Sequence, residues 1–346
     1  MTGPFADRLF RITFTLAGVY NLVFGIWAGF WPLAFFEMFQ LEPPQYPDIW
    51  ACLGMVVGVY GLLYWHAAWN LETGWPIIAV GFLGKVLGPI GMTLSFSDAW
   101  PRRLGMLCIT NDLIWWLPFA LFLIRGTRLA NGIARVAPWI CAGMHALALG
   151  VMALVLQPGT LVVASVTERG RYVSEAATAW SVGWGIWMLT AMSLVGFYAW
   201  WGSRLPARSA ALVGVLLAAC GMVFDLIGEG FMVFALVERA HTLASSHHVS
   251  QPDTAGYEHL ERTITLLTAG ASNLFYTLGG IVLTLATLNL PRWVRALMWT
   301  TWIAGLAMTV SGVANHVGGM VATTVVLFPL LIVWTIWMGV RMANVE

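Results

Sequence analysis

Apolar residues fall in long blocks along this chain, separated by short polar breaks. Ten blocks can be marked, at about 12–34, 48–69, 75–96, 105–125, 137–157, 178–201, 209–236, 263–288, 294–316 and 320–341. Each approaches the ~20 residues that a helix needs to cross a bilayer. The pattern predicts an all-α integral membrane protein of about ten transmembrane helices. The last two blocks part only at Val317-Gly318-Gly319, and their joint length calls for two spans. The first block lacks a small-residue cleavage site behind a short core, so a retained span is expected there.

The basic connection between Arg125 and Arg135 divides the pattern. Residues 1–130 hold four blocks with short links, and residues 131–346 hold six. Short links imply antiparallel neighbours, so a four-helix bundle followed by a six-helix bundle is expected. The second part has two longer breaks, at about 158–177 and 237–262. The latter, ERAHTLASSHHVSQPDTAGYEHLER, is the only sizeable hydrophilic stretch and is expected to be a solvated external loop. The halves share no clear repeat, so identity gives no support for an inverted-repeat transporter.

Composition narrows the class. Of 346 residues, 59% are apolar and 10% charged, and the mean hydropathy is +0.79. Soluble domains carry about 25% charged residues, so the solvent here must be lipid. A net charge of +1 argues against a nucleic-acid partner. With the N-terminus inside, ten of the sixteen arginines fall on the cytoplasmic side and six outside. This bias predicts a multi-pass cell-membrane protein with both termini cytoplasmic. Several of the twenty tryptophans lie near block ends, among them Trp31, Trp69, Trp75, Trp139, Trp180 and Trp293, as in an interfacial belt.

Ionisable residues inside apolar blocks are the candidate chemistry, because charge at bilayer depth is costly and leans functional. The chain's one lysine, Lys85, lies in the third block, and Asp112 lies in the fourth. Counted from the same membrane face, the two differ by roughly 6 Å in depth at 1.5 Å per residue. A lysine can bridge that. Asn21 and Asn111 add polar groups. The pair reads either as an ion pair fixing helix packing or as a site for a proton or an acidic ligand.

The seventh block holds Asp225 and Glu229, four apart and so on one helix face. Two carboxylates this close in low dielectric cannot both ionise cheaply, which suits proton exchange or acid–base work. Asn273 and Tyr276 of the eighth block and Ser311 and Asn315 of the ninth are candidate substrate-binding groups at similar depth, with His316 closer to the surface and Asn21 of the first block as a further candidate. The histidines His241, His247, His248 and His259 fit no zinc spacing, and no metal site is expected. Histidine spacing does not demand haem either, and the cofactor is left unknown. Cys52 and Cys108 both sit about a turn inside one face. They are either unpaired core residues or a disulfide in an oxidising compartment.

A resemblance enters through five stretches: Val19-Tyr20-Asn21-Leu22, Pro47-Asp48-Ile49-Trp50, residues 54–61 (GMVVGVYG), residues 81–91 (GFLGKVLGPIG) and residues 110–116 (TNDLIWW). Residues 8–128 resemble the small four-helix DoxX-like membrane proteins, in particular a bacterial group labelled alkyl hydroperoxide reductase. The resemblance implies a four-helix bundle associated with redox membrane complexes. The chain departs from the peroxidase label, having no peroxidatic cysteine motif.

Three functions fit these observations. One is a proton-coupled transporter of a small solute. Another is a membrane enzyme or redox-associated subunit acting on a lipid-soluble substrate. The third is an accessory structural subunit of a membrane complex. The partners implied are the lipid bilayer, a small-molecule or lipid-soluble ligand, and other chains of such a complex. Small-residue pairs, Gly54 with Gly58, Gly84 with Gly88, and Gly279-Gly280, should mark close helix contacts.

Overall fold

The computed structural model describes residues 3–95, 101–245 and 251–343. Those residues are helical and connecting segments, with no strand among them. Ten helices among them are long and apolar enough to cross a membrane: Pro4–Phe30, Pro47–Trp69, Trp75–Met92, Arg102–Leu123, Arg128–Gly159, Ala177–Ser203, Arg208–Ser245, Asp253–Ala286, Arg292–Val313 and Val317–Arg341. The chain is an all-α, multi-pass membrane protein. Backbone groups have no water partners in hydrocarbon, so each span must satisfy them within its own helix.

Two compact units form. The first comprises residues 1–94 and 111–130, the second residues 95–110 and 131–346. In the first unit, the first two spans approach closely because glycine faces glycine. A Cβ on Gly58 would sit 3.3 Å from Gly25 Cα, and one on Gly61 would sit 2.6 Å from Gly18 O. Such contact replaces the hydrophobic drive that lipid does not supply. Phe10, Phe14, Tyr64, Phe119 and Phe122 fill the core. Phe14 and Phe122 meet edge to face at 4.8 Å, the arrangement that ring quadrupoles favour. Arg11 donates to Ala68 O at 2.7 Å and Trp69 O at 2.8 Å, satisfying carbonyls at the end of the second span. Gly84 has nothing within 4 Å of a built Cβ, so the Gly84–Gly88 contact expected from sequence forms only at Gly88.

In the second unit, Gly214 packs on Gly279, and Gly280 leaves room for the Trp302 ring. Trp201, Trp302 and Trp334 build a buried aromatic core with Phe197. The Trp201 and Trp302 indole N–H groups donate to Thr287 and Thr284 hydroxyls at 3.0 and 2.8 Å. Trp31, Trp69, Trp75, Trp139 and Trp293 are exposed. Trp180 is the exception to the belt reading. It is fully buried, and its N–H donates to Met232 O at 2.9 Å.

The expected loop at 237–262 is corrected. Its described residues belong to the helices Ala235–Ser245 and Gln251–Thr265, which prolong the seventh and eighth spans. Charge on one face lowers the mean hydropathy. The other face buries Leu236, Val237, Ala240, Leu243, Tyr257 and Ile264 at helical spacing. The break at 158–177 likewise holds a helix, Val166–Glu175, capped by Ser165, whose Oγ accepts the Glu168 N–H at 3.3 Å. These three helices form a cap, two of them joined by a buried ion pair. Arg169 Nε and Nη2 donate to Glu261 Oε1 and Oε2 at 2.8 and 2.6 Å.

Candidate functional site

In the first unit, Lys85 and Asp112 are both buried, with Lys85 Nζ 4.0 Å from Asp112 Oδ1. The shorter contact is to a neighbour. Lys85 Nζ donates to Asn111 O at 2.5 Å, and Asn111 Nδ2 donates to Asp112 Oδ1 at 2.8 Å. Asn111 therefore links the two charges. Its carbonyl is offered because residues Cys108–Leu113 form a π-helix, which disturbs the ordinary i+4 ladder. Trp116 Nε1 donates to Lys85 O at 3.0 Å, and the Trp115 ring lies 5.9 Å from Nζ. A Cβ on Gly88 would stand 3.1 Å from Asp112 Oδ2, so the glycine makes room for the carboxyl. Asn21 is buried, and its Oδ1 has no hydrogen-bond partner.

Magnitudes decide what this pair does for stability. Two unit charges 4 Å apart attract by about 4 kcal/mol at an effective dielectric near 20. Desolvation costs several kcal/mol per ion. The attraction does not exceed that cost, so the pair is not expected to add net stability.

In the second unit, Asp225 and Glu229 lie one turn apart on the helix Arg208–Val233. Tyr276 donates its hydroxyl to Asp225 Oδ2 at 3.3 Å. Glu229 is 1% exposed, and its Oε2 has no hydrogen-bond partner. Ser272 is equally buried. Its Oγ stands near both the Asp225 carboxyl and the Tyr276 hydroxyl without a well-formed hydrogen bond. The two helices come this close because position 221 is glycine. A Cβ there would meet Ser272 O and the Tyr276 ring at 2.9 Å. A second π-helical segment, Leu266–Ser272, ends at this point. Two carboxyls, a phenol and a hydroxyl thus converge here. The set can hold a proton and pass it between oxygens, or hold a cation.

The remaining sequence candidates go elsewhere. Asn273 turns to the ninth span, donating to Gly305 O at 2.6 Å and Thr309 Oγ1 at 2.9 Å. Ser311, Asn315 and His316 build the turn between the last two spans. Asn315 adopts a positive φ of 55°, the Ser311 carbonyl accepts the His316 N–H at 2.8 Å, and His316 Nδ1 accepts the Gly319 N–H at 3.0 Å. Asn315 and His316 are exposed there and serve the turn. Ser272 was missed by the sequence reading. It lies four residues before Tyr276 and shares its face, whereas Asn273 is engaged by the ninth span. His241 contacts Ser174 at 2.8 Å, and His259 lies 3.4 Å from Thr263 Oγ1. His247 and His248 lie outside the described residues. No disulfide links the four cysteines. No protein-family model, curated protein or solved structure matches the chain.

Proposed function

We propose that this protein is a proton-coupled transporter of a small solute in the cell membrane, with both termini cytoplasmic and Asp225 and Glu229 as its proton-carrying groups. One observation carries the reading. Glu229 is buried with an oxygen left unpartnered, one turn from a second carboxyl. An ionised carboxylate in that position would be uncompensated, so the pair should hold at least one proton. A carboxyl kept only for packing would have its oxygens satisfied. Tyr276 and Ser272 offer the hydroxyls through which a proton can move to and from Asp225. Lys85, Asn111 and Asp112 form the polar centre of the first unit, and the proposed likeness of residues 8–128 to DoxX-like proteins rests on the five stretches quoted above.

The test uses the purified full chain in liposomes that enclose a pH-sensitive dye. Panels of amino acids, sugars and small carboxylates are added outside. Wild-type protein should acidify the lumen with at least one class, and Glu229→Gln should reduce that flux at least tenfold. Wild-type protein that moves no protons with any of them would contradict the proposal. So would Glu229→Gln protein that moves them at the wild-type rate.

A further inference from the structure

The cap contains a cleft of about 580 Å³ between the helices Ala235–Ser245 and Gln251–Thr265, with Arg103 contributed from the turn Arg102–Gly105. Its volume falls within the roughly 300–1,000 Å³ of small-molecule sites. We propose that this cleft binds a small anionic amphiphile, a carboxylate or phosphate carrying a short apolar body. The proposal rests on the cleft alone and is independent of proton-coupled transport.

Charge accounting points to an anion. Arg103 donates from its backbone N–H and its guanidinium to Glu238 at 3.0 and 3.1 Å, so these two charges satisfy each other. Arg239 remains. It is exposed, and it reaches across the cleft to Gly256, where a built Cβ would stand 3.2 Å from Nη1. His259 adds an imidazole to the same wall. One full cation and one imidazole thus face a cleft whose only acidic lining group among the described residues is already paired. A guanidinium offers the planar donor fork that suits carboxylate and phosphate.

The rest of the lining is Gly256, Thr263 and three apolar side chains, and the Thr263 hydroxyl already donates to His259 O at 3.0 Å. Ala235, Ala255 and Leu260 leave a surface suited to a short hydrocarbon and offer nothing to a second charge. The cleft is also held open in advance. The bidentate Arg169–Glu261 pair and fully buried Tyr257 fix the helix Gln251–Thr265 within the cap. A preformed site loses less affinity to ordering its own walls.

Such a ligand can come from water or be the headgroup end of an acidic lipid. The experiment separates these sources. The full chain in phosphatidylcholine nanodiscs is titrated by calorimetry with hexyl phosphate, hexanoate, hexylamine and inorganic phosphate, with empty nanodiscs subtracted. Hexyl phosphate and hexanoate should bind. Hexylamine should not, and inorganic phosphate should bind at least tenfold more weakly. Arg239→Gln should weaken hexyl phosphate at least tenfold, and Arg239→Lys should restore part of that loss. Ala255→Trp, at an exposed position, should block binding by filling the cleft while leaving the cation. Repeating the titration in nanodiscs containing phosphatidic acid assigns the source. A tenfold loss by competition supports a lipid occupant, and unchanged affinity supports a soluble one. Hexylamine binding as tightly as hexyl phosphate would overturn the proposal. Unchanged affinity in a folded Arg239→Gln protein would do the same.

Discussion

At the scale of single residues, burial and partnering separate the two ionisable centres. Lys85 and Asp112 are each supplied with a partner through Asn111, whereas Glu229 retains an oxygen without one. Removing one member of a buried pair leaves the other charge uncompensated, at a cost of about 3–5 kcal/mol. Lys85→Met should therefore lower the melting temperature sharply, and adding Asp112→Leu should recover much of the loss. Additive losses in that double-mutant cycle would show that the residues do not couple. Asp225→Asn and Glu229→Gln keep hydrogen-bonding capacity but remove titration. Both should fold with near wild-type melting temperature and lose solute-driven proton flux, and full flux in both would make the pair scaffolding. The four charged residues were legible in the sequence because charge stands out within apolar blocks, and depth counting matched Lys85 to Asp112. Arg169 and Glu261 were not legible as partners. They are 92 positions apart, and each lies in a polar stretch where a solvated side chain is the ordinary expectation.

At the scale of elements, spacing carried some contacts and missed others. A glycine pair four apart can face a neighbour or face lipid, and sequence does not distinguish them. Gly61 faces the Gly18 carbonyl, but Gly84 faces open space. Gly61→Ala should thus cost about 1–3 kcal/mol through overpacking. Gly84→Ala should be neutral or stabilising, since alanine is favoured over glycine in helices by about 1 kcal/mol. Equal melting temperatures for the two variants in detergent would contradict the assigned packing. The cap helices carried a readable signal of their own. Val237, Ala240 and Leu243 repeat at helical spacing inside a stretch whose charge alone suggested a loop. The π-helical segments had no such signal. In Cys108–Leu113 the π-helix frees the Asn111 carbonyl for Lys85, a contact 26 positions away that local spacing does not announce. Among the described residues Cys108–Leu113 and Leu266–Ser272 adjoin the candidate sites, and a third segment, Met152–Leu156, does not.

At the scale of the whole molecule, hydropathy alone made the ten spans legible, because a bilayer imposes length and composition on every crossing. Orientation rests on arginine bias. Reporter fusions truncated after Arg128 and after Ser245 should report opposite sides of the membrane, and one shared side would overturn the map. The functional claim also concerns the whole molecule, since a proton held at Glu229 serves transport only if it exchanges with water through the surrounding helices. The most direct measurement is infrared spectroscopy of the full chain in lipid, before and after transfer to deuterated water. The account predicts a protonated-carboxyl band that disappears in Glu229→Gln and shifts in the wild type within minutes of transfer. Absence of that band, or a band that deuterated water leaves unmoved, would contradict it.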